Sequence, residues 1–361
     1  MTAIRRCEQN PLIIPSQVKP SREDFKVEGV FNCGVTKYQG EVILLCRVAE
    51  SVHNTDEDKV VIPMVKKIDD VNTIVVETIS KSEHPEYDFS DSRSVWTNGE
   101  NGPRKILYLT SLSHFRIARS KDGINFTISD TPDIFPEESE SWGIEDPRIT
   151  FINEAYYITY TSVSCYGAST SLIVTKDFVE YDRKGIIFAA ENKDVTIFPE
   201  KIGDSYYALN RPVPMAIGNP DMWIAKSPDL LHWGNQKHFL GVSEESSWIN
   251  GRIGGGAVPI KTEKGWLVVY HAADRDNRYC LGALLLDLKD PSKILANTKH
   301  PILEPEAIYE TEGFFGNVVF TCGVLLEEET LIIYYGAADD KICRADVAMR
   351  DVFDDLEPVE L

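Results

Sequence analysis

Apolar residues in this chain come in short runs divided by polar turns, and long helical periodicity is absent. FINEAYYITY (Phe151 to Tyr160), EKIGDSYYALN (Glu200 to Asn210) and IKTEKGWLVVYH (Ile260 to His271) each set a polar turn between two apolar stretches, which predicts hairpins. Only the last ten residues, rich in Asp and Glu, predict a short terminal helix. A closing phrase recurs as RIARSKDGINFT (Arg116 to Thr127), LIVTKDFVEYD (Leu172 to Asp182), WIAKSPDLLHWG (Trp223 to Gly234) and LGALLLDLKDPSKIL (Leu281 to Leu295). Its aspartates, Asp122, Asp177, Asp229 and Asp290, lie about 50 to 60 residues apart, the length of a four-stranded blade.

The pattern therefore predicts an all-β fold, a single β-propeller spanning residues 1–361. First strands can be placed near Asn32, Asp91, Asp146, Asp194, Arg252 and Asn317, giving six repeat units, of which one can be an embellishment of its neighbour. The segment before Phe31 is placed to add an outer strand to the C-terminal unit, closing the ring and removing open sheet edges.

Charge narrows the partners. With 37 basic against 57 acidic residues and a net charge of -20, the surface repels phosphate backbones, which argues against nucleic acid and anionic membranes. Seven cysteines without CxxC spacing indicate neither a disulfide framework nor a zinc site, and several read as small buried hydrophobes. No DxDxDG spacing suggests calcium, so no metal is expected. MTAIRRCEQNPLII lacks the apolar core of a leader, and the expectation is a cytoplasmic protein. Nothing specifies an oligomeric state, and a homo-oligomer stays open.

In a propeller the innermost strands line a central channel, so polar groups at their ends converge from distant positions. Those positions hold Asn32 in VFNCGV, Asp91 and Arg93 in SDSRSV, Glu145, Asp146 and Arg148 in GIEDPRIT, Lys193 and Asp194 in ENKDVTIF, and Arg252 in NGRIGGG. Second strands add Arg47, Arg211, His271 and Asp339. An Asp-Pro step before a strand is also ordinary turn chemistry, and any one arginine can simply neutralise a buried acid. Five arginines gathered in so acidic a chain read better as a site for an anionic ligand. The run Gly254 to Gly256 lacks a phosphate-loop pattern and reads as room for crowded backbone. A lone strand histidine such as His271 is more often structural than functional. Most of Trp142, Trp223, Trp233, Trp248, Tyr166 and Tyr279 should pack blades, leaving two or three to stack on sugar faces.

The phrases VFNCGV with LLCRVAE, GIEDPRI, NKDVTIFPEKI, ALNRP, SPDLLHWG, GRIGGGAVPIKTEKGWLVVYHA, YCLGALLLDLKDP, PILEPE, FFGNVVFTCG and YYGAAD together resemble glycoside hydrolase family 130, from about Asn10 to Met349. That resemblance implies a five-bladed propeller that cleaves β-mannosides with inversion, using phosphate as co-substrate and no other cofactor, and releasing α-mannose 1-phosphate. It implies Asp146 as general acid, acting through a hydroxyl of the mannosyl unit. It assigns phosphate binding to Arg211, Arg252, His271 and Tyr279, and mannose contact to Asn32, Arg47, Lys193, Asp194 and Asp339. Arg93, Glu145 and Arg148 complete the substrate-binding set expected at the strand ends. About one blade-length of extra sequence between Arg47 and Asp146 sets the chain apart from shorter members and looks most like the branch acting on β-1,2-linked mannobiose and oligomannan. Two alternatives stand beside the phosphorylase: a phosphate-independent β-mannosidase on the same fold, and a non-catalytic glycan-binding propeller.

Overall fold

The computed structural model describes residues 4–99 and 103–359. Its strands form five blades of antiparallel strands, one fewer than the repeat units read from the sequence. The first blade is Phe25–Tyr38, Glu41–Val52, Leu112–Ser120 and Thr127–Ile128, and the second runs in unbroken order through Gly143–Ile152, Ala155–Ser164, Gly167–Thr175 and Asp182–Phe188. Asn192–Ile197, Tyr206–Pro212, Met222–Ser227 and Gly234–Leu240 make the third. The fourth contains Arg252–Gly255, Trp266–Ala273, Tyr279–Leu286 and Ile294–Thr298, and the fifth Val319–Glu327, Thr330–Ala337 and Lys341–Ala348.

The surplus unit is an insertion within the first blade. The chain leaves after the second strand, builds a ribbon (Lys59–Ile68 with Val71–Ser80) and a small sheet (Tyr87–Asp88, Ser94–Thr97, Ile106–Leu109), and returns as the third strand. Asp91 therefore begins no blade. The phrase RIARSKDGINFT supplies the third strand and the following turn of the first blade.

Packing closes the ring at every blade interface. Ile43, Leu45 and Phe115 meet Ile144 and Ile158 between blades one and two, and Ile152 and Phe188 meet Val195 and Ala208 between two and three. Leu209 and Ile224 pack on Trp266 and Tyr270, Leu267 and Val269 on Val319 and Ile333, and Ile332 and Tyr334 on Val30 and Leu44. Burial of such side chains contributes about 1.5–3 kcal/mol each. Blades one and two also touch through a parallel pairing of Gly143 with Ser113. Gly143 has φ of 113°, and a Cβ there would lie 2.7 Å from the Ser113 nitrogen, so glycine is required.

The recurring phrase is a turn after the third strand. Asp122 Oδ1 accepts from the backbone N–H of Ile124 and Asn125, Asp177 from Val179 and Glu180, and Asp229 from Leu231 and His232. In blade four this pattern belongs to Asp287, which accepts from Lys289 and Asp290, so the expected alignment on Asp290 is three residues out. The terminal helix also sits earlier than expected. It covers Met349–Asp354, and Leu356–Pro358 is instead an edge strand on blade four.

Arg5–Arg6 pairs with the Asp346 and Ala345 positions of blade five, the outer strand expected of the N-terminal segment. Arg6 seals it with a buried acid: Glu310 accepts from Arg6 Nε at 2.8 Å and Nη2 at 3.0 Å, from Tyr335 Oη at 2.7 Å, and from the backbone of Glu306 and Ala307. Burial raises the cost of the Glu310 charge, but Arg6 and these donors outweigh it and hold the carboxyl below its ordinary value. Arg6→Ala should cost about 3 kcal/mol at pH 7 in urea denaturation, because it strands a buried carboxylate. A depressed carboxyl contributes its stability above the unfolded value and loses it as pH falls, so the gap between the two proteins should narrow on acidification. An equal gap at pH 7 and pH 4 would show that the pair is not the seal.

Candidate active site

Three innermost strands break register at the same place, between Phe31 and Gly34, Glu145 and Arg148, and Lys193 and Thr196. Inside each break sits a left-handed polar residue: Asn32 at φ 46°, Asp146 at 52° and Asp194 at 58°. Bulges re-aim side chains, and Asn and Asp tolerate this conformation better than other residues with a Cβ. The consequence is convergence. Asn32 Nδ2 donates to Asp146 Oδ1 at 3.0 Å, and Arg148, 1% exposed, spans Asp146 and Asp194. Its Nη1 donates to the Asp146 carbonyl at 3.0 Å and its Nη2 to Asp194 Oδ1 at 3.2 Å, while Gly255 and Gly256 carbonyls take further donors. All three guanidinium nitrogens of Arg148 are thus engaged by protein.

One side of the site is built around the acid. Arg47 Nη1 donates to Asp146 Oδ1 at 3.0 Å, its Nη2 to Glu145 Oε1 at 2.9 Å, and its Nε to Ser113 Oγ at 3.2 Å, with the guanidinium over Phe31. Lys193 Nζ reaches Glu145 Oε2 at 3.2 Å. Burial opposes the Glu145 charge, but Arg47 and Lys193 outweigh it and bring its carboxyl below the ordinary value. Asp146 Oδ1 takes two donors, whereas Oδ2 has no hydrogen-bond partner among the described residues.

The other side is cationic. Arg211 Nε donates to Asp194 Oδ2 at 2.6 Å, leaving both terminal nitrogens without a protein partner among the described residues. His271 Nε2 lies 3.1 Å from the same oxygen. Burial works against the Asp194 charge, but Arg211, His271 and Arg148 hold its carboxyl well below the usual carboxylate range. Burial pushes the His271 imidazole down despite Asp194, so the ring is neutral at pH 7. With Asp194 ionised, Nε2 must carry the ring proton, and Nδ1, buried without a partner among the described residues, is left as an acceptor. Gly254 faces this pair. A Cβ there would lie 2.4 Å from Asp194 Oδ2 and 2.8 Å from His271 Nε2, so the glycine run does make room for crowded groups. Beyond it, Arg252 Nη1 donates to Tyr279 Oη at 2.9 Å and Nη2 to Asn277 Oδ1, and its guanidinium lies over the Tyr279 ring.

Asp339 follows the second strand of blade five in a left-handed conformation, φ 48°, with no hydrogen bond to its carboxyl among the described residues. Burial, aided by Asp146 and Glu145 and opposed by Arg47 and Arg93, pushes it up to about 7. Arg93 reaches the site from the insertion. It grips Asp91 with Nε and Nη2, at 3.0 and 2.9 Å, and lies over Phe315 at 4.4 Å, so the insertion meets the approach to blade five.

Asp339 makes pH a probe. A carboxyl raised in the folded state favours folding fully below its unfolded value, and that contribution is lost as pH rises toward the folded value of about 7. Asp339→Asn removes the loss. The variant's melting temperature relative to wild type should climb between pH 5 and pH 8, and a constant difference would contradict the assignment.

The site draws in Ser113, Asn277, Phe31 and Phe315, which sequence reasoning did not single out. Phe31 and Phe315 lie inside the phrases VFNCGV and FFGNVVFTCG without a polar group to mark them, and Ser113 and Asn277 are defined only by what folds against them. Of the aromatics, Trp248 stacks on Tyr270 and Trp233 on Phe188, while Trp223 meets His238 edge-on, which is blade packing. Cys33, Cys46, Cys280, Cys322 and Cys343 are buried free thiols.

Residues 107–357 match the sequence model of glycoside hydrolase family 130, described as β-1,4-mannooligosaccharide phosphorylase. A β-1,2-mannobiose phosphorylase of Listeria innocua serovar 6a is 47% identical over 98% of both chains, and a 1,2-β-oligomannan phosphorylase of Thermoanaerobacter sp. strain X514 is 44% identical over 67% of this chain and 80% of its own. The solved structure of the Listeria innocua β-1,2-mannobiose phosphorylase with β-1,2-mannobiose superimposes with a TM-score of 0.93 at 46% identity, covering 98% of this chain and 99% of the other.

Proposed function

The chain belongs to glycoside hydrolase family 130, and we infer that it is an inverting phosphorylase of β-mannosides, cleaving β-1,2-linked mannobiose or mannooligosaccharides with inorganic phosphate to α-mannose 1-phosphate and a shortened acceptor. One observation carries the assignment of roles: a carboxyl with one unengaged oxygen, Asp146 Oδ2, lies beside a pocket of cations. An inverting hydrolase needs a second carboxylate to activate water. Here Glu145 is neutralised by Arg47 and Lys193, and Asp194 by Arg148 and Arg211, with the neutral His271 ring as a further donor to it. Asp339 is less engaged, but its charged neighbours are Arg47, Asp146, Arg93 and Glu145, which suits a sugar-hydroxyl contact on the acid's side. Phosphate is already an anion and needs no base.

In this reading the terminal nitrogens of Arg211, with Arg252 and Tyr279, hold phosphate against the α face of the mannosyl unit. A phosphate oxygen forms the new bond to C1 as the glycosidic C1–O bond breaks. As the acid, Asp146 gives its proton from Oδ2, since two N–H donors occupy Oδ1, and the departing oxygen receives that proton through a mannose hydroxyl. Hydrogen phosphate carries its own proton into the product monoester, which releases it to water, and Asp146 regains a proton from water before the next turnover, while His271 supports Asp194. Arg148 and Asp194 position these groups. Asn32, Arg47, Lys193 and Asp339 contact mannose, and Arg93 approaches from the insertion. No further cofactor is required.

The whole chain, insertion included, acts as one catalytic unit, and unpaired thiols suit a cytoplasmic setting. Incubation with β-1,2-mannobiose, with and without phosphate, followed by phosphorus NMR, should yield α-mannose 1-phosphate only when phosphate is present. Equal cleavage without phosphate would favour the hydrolase.

A further inference from the structure

The loop of blade three that joins Tyr206–Pro212 to Met222–Ser227 reads VPMAIGNPD, and it is apolar where loops are ordinarily polar. Residues Met215 to Asn219 are all exposed, Met215 at 69% and Ile217 at 91%. Two large apolar side chains held in water on one loop mark a surface that gains by being covered.

Both roots of this loop belong to the cationic side of the site. The first follows directly from the strand of Arg211, where the Val213 N–H donates to the Glu191 carbonyl at 3.1 Å. The second is Pro220, whose carbonyl accepts at 3.1 Å from the N–H of Ile253, the residue after Arg252. Asp221 fixes that end further by accepting from the Val242 N–H at 2.9 Å. A ligand that bridges Arg211 and Arg252 therefore bridges the two roots. Between them, no hydrogen bond ties Pro214 to Gly218 to the body among the described residues. Pro212, Pro214 and Pro220 stiffen the ends. Gly218, at φ 93° with no atom nearer than 3.9 Å to the place of a Cβ, is an uncrowded pivot. Val213 and Met215 share a cleft with Glu145 and Lys193, so the tip stands at the mouth of the site.

We propose that Pro214 to Asn219 form a flap that closes over phosphate held between Arg211 and Arg252, and that Met215 and Ile217 select phosphate over water by shutting solvent out. The proposal rests on the phosphorylase reading. Closure buries the apolar pair and dries the cations, whose attraction for an anion strengthens as water leaves. In an open site water adds its oxygen to C1 and gives a proton to solvent, so that free mannose leaves in place of mannose 1-phosphate. The flap suppresses that branch.

Hydrogen exchange followed by mass spectrometry tests closure, using Asp146→Asn protein so that turnover does not deplete the complex. Exchange at Met215 to Asn219 should slow roughly tenfold with inorganic phosphate and β-1,2-mannobiose together, as for a modest local closing equilibrium, and change little with mannobiose alone. Unchanged exchange with both ligands, or equal slowing with mannobiose alone, would overturn the flap. So would protection that follows protein concentration, which marks a contact between copies. In otherwise wild-type enzyme, Met215→Ser with Ile217→Ser should leave the fold intact, because both side chains are exposed. The pair should raise KM for phosphate roughly tenfold, as the cations stay wet, and raise the share of mannose released free. Affinity for β-1,2-mannobiose without phosphate should stay within about twofold of wild type, as for surface substitutions. An unchanged phosphate KM overturns the proposal. Phosphorolysis with an unresponsive loop sinks the flap alone, whereas wild-type protein that forms no mannose 1-phosphate sinks the phosphorylase reading and the flap with it.

Discussion

Asp146→Asn removes phosphorolysis to a residue of about 10⁻³ of the wild-type rate or less, within the 10²–10⁴ that a positioned acid contributes, and leaves a folded protein. Asparagine tolerates the left-handed backbone at φ 52° nearly as well as aspartate, so the bulge survives. Its side-chain oxygen can still accept from Asn32 and Arg47, and Arg47 retains Glu145 as counter-ion. The change therefore deletes the transferable proton and little else. Three measurements separate this from a structural lesion: initial rates of mannose 1-phosphate release, thermal melting, and calorimetric binding of β-1,2-mannobiose. A substrate with an acidic aryl leaving group should recover part of the rate, since its departure needs less protonation. Near wild-type turnover would return the GIEDPRIT motif to turn chemistry and move attention to Glu145.

The first four blades were legible because each repeats the same local problem, a third strand that must turn, and an aspartate that caps two backbone N–H groups solves it in a recognisable phrase. The blade number was not, because SDSRSV imitates a first strand while the residues around it fold as an insertion between the second and third strands of blade one. Alternation within a strand does not say which blade the strand belongs to. At the site, residue types were readable and their division of labour was not. Arg148 and Arg211 both look like ligand-binding arginines in sequence. Only the fold shows that the nitrogens of Arg148 are engaged by backbone and Asp194, while Arg211 keeps two nitrogens for a ligand. The three bulges that aim Asn32, Asp146 and Asp194 appear in the sequence as polar residues interrupting apolar runs, a signal shared with ordinary turns.

Arg252→Ala separates phosphate binding from the rest of the machinery. Arg252 is partly exposed, and among the described residues its guanidinium holds only Tyr279 and Asn277, so its removal strands no buried carboxylate there. Arg211 cannot be tested as cleanly: without it Asp194 loses its nearest cation, and the resulting defect would mix stability with binding. A hydrogen bond from a charged donor contributes about 1.5–3 kcal/mol, so KM for phosphate should rise roughly 10- to 150-fold at 1.4 kcal/mol per tenfold. The affinity for β-1,2-mannobiose, measured without phosphate, should hold. Arg252→Lys should recover only part of the loss, because a point charge replaces a planar fork. The same logic works in reverse synthesis, where KM for α-mannose 1-phosphate should rise while the acceptor's KM stays put. A weakened sugar affinity with phosphate KM unchanged would move Arg252 to the mannose side and leave Arg211, His271 and Tyr279 to hold the nucleophile.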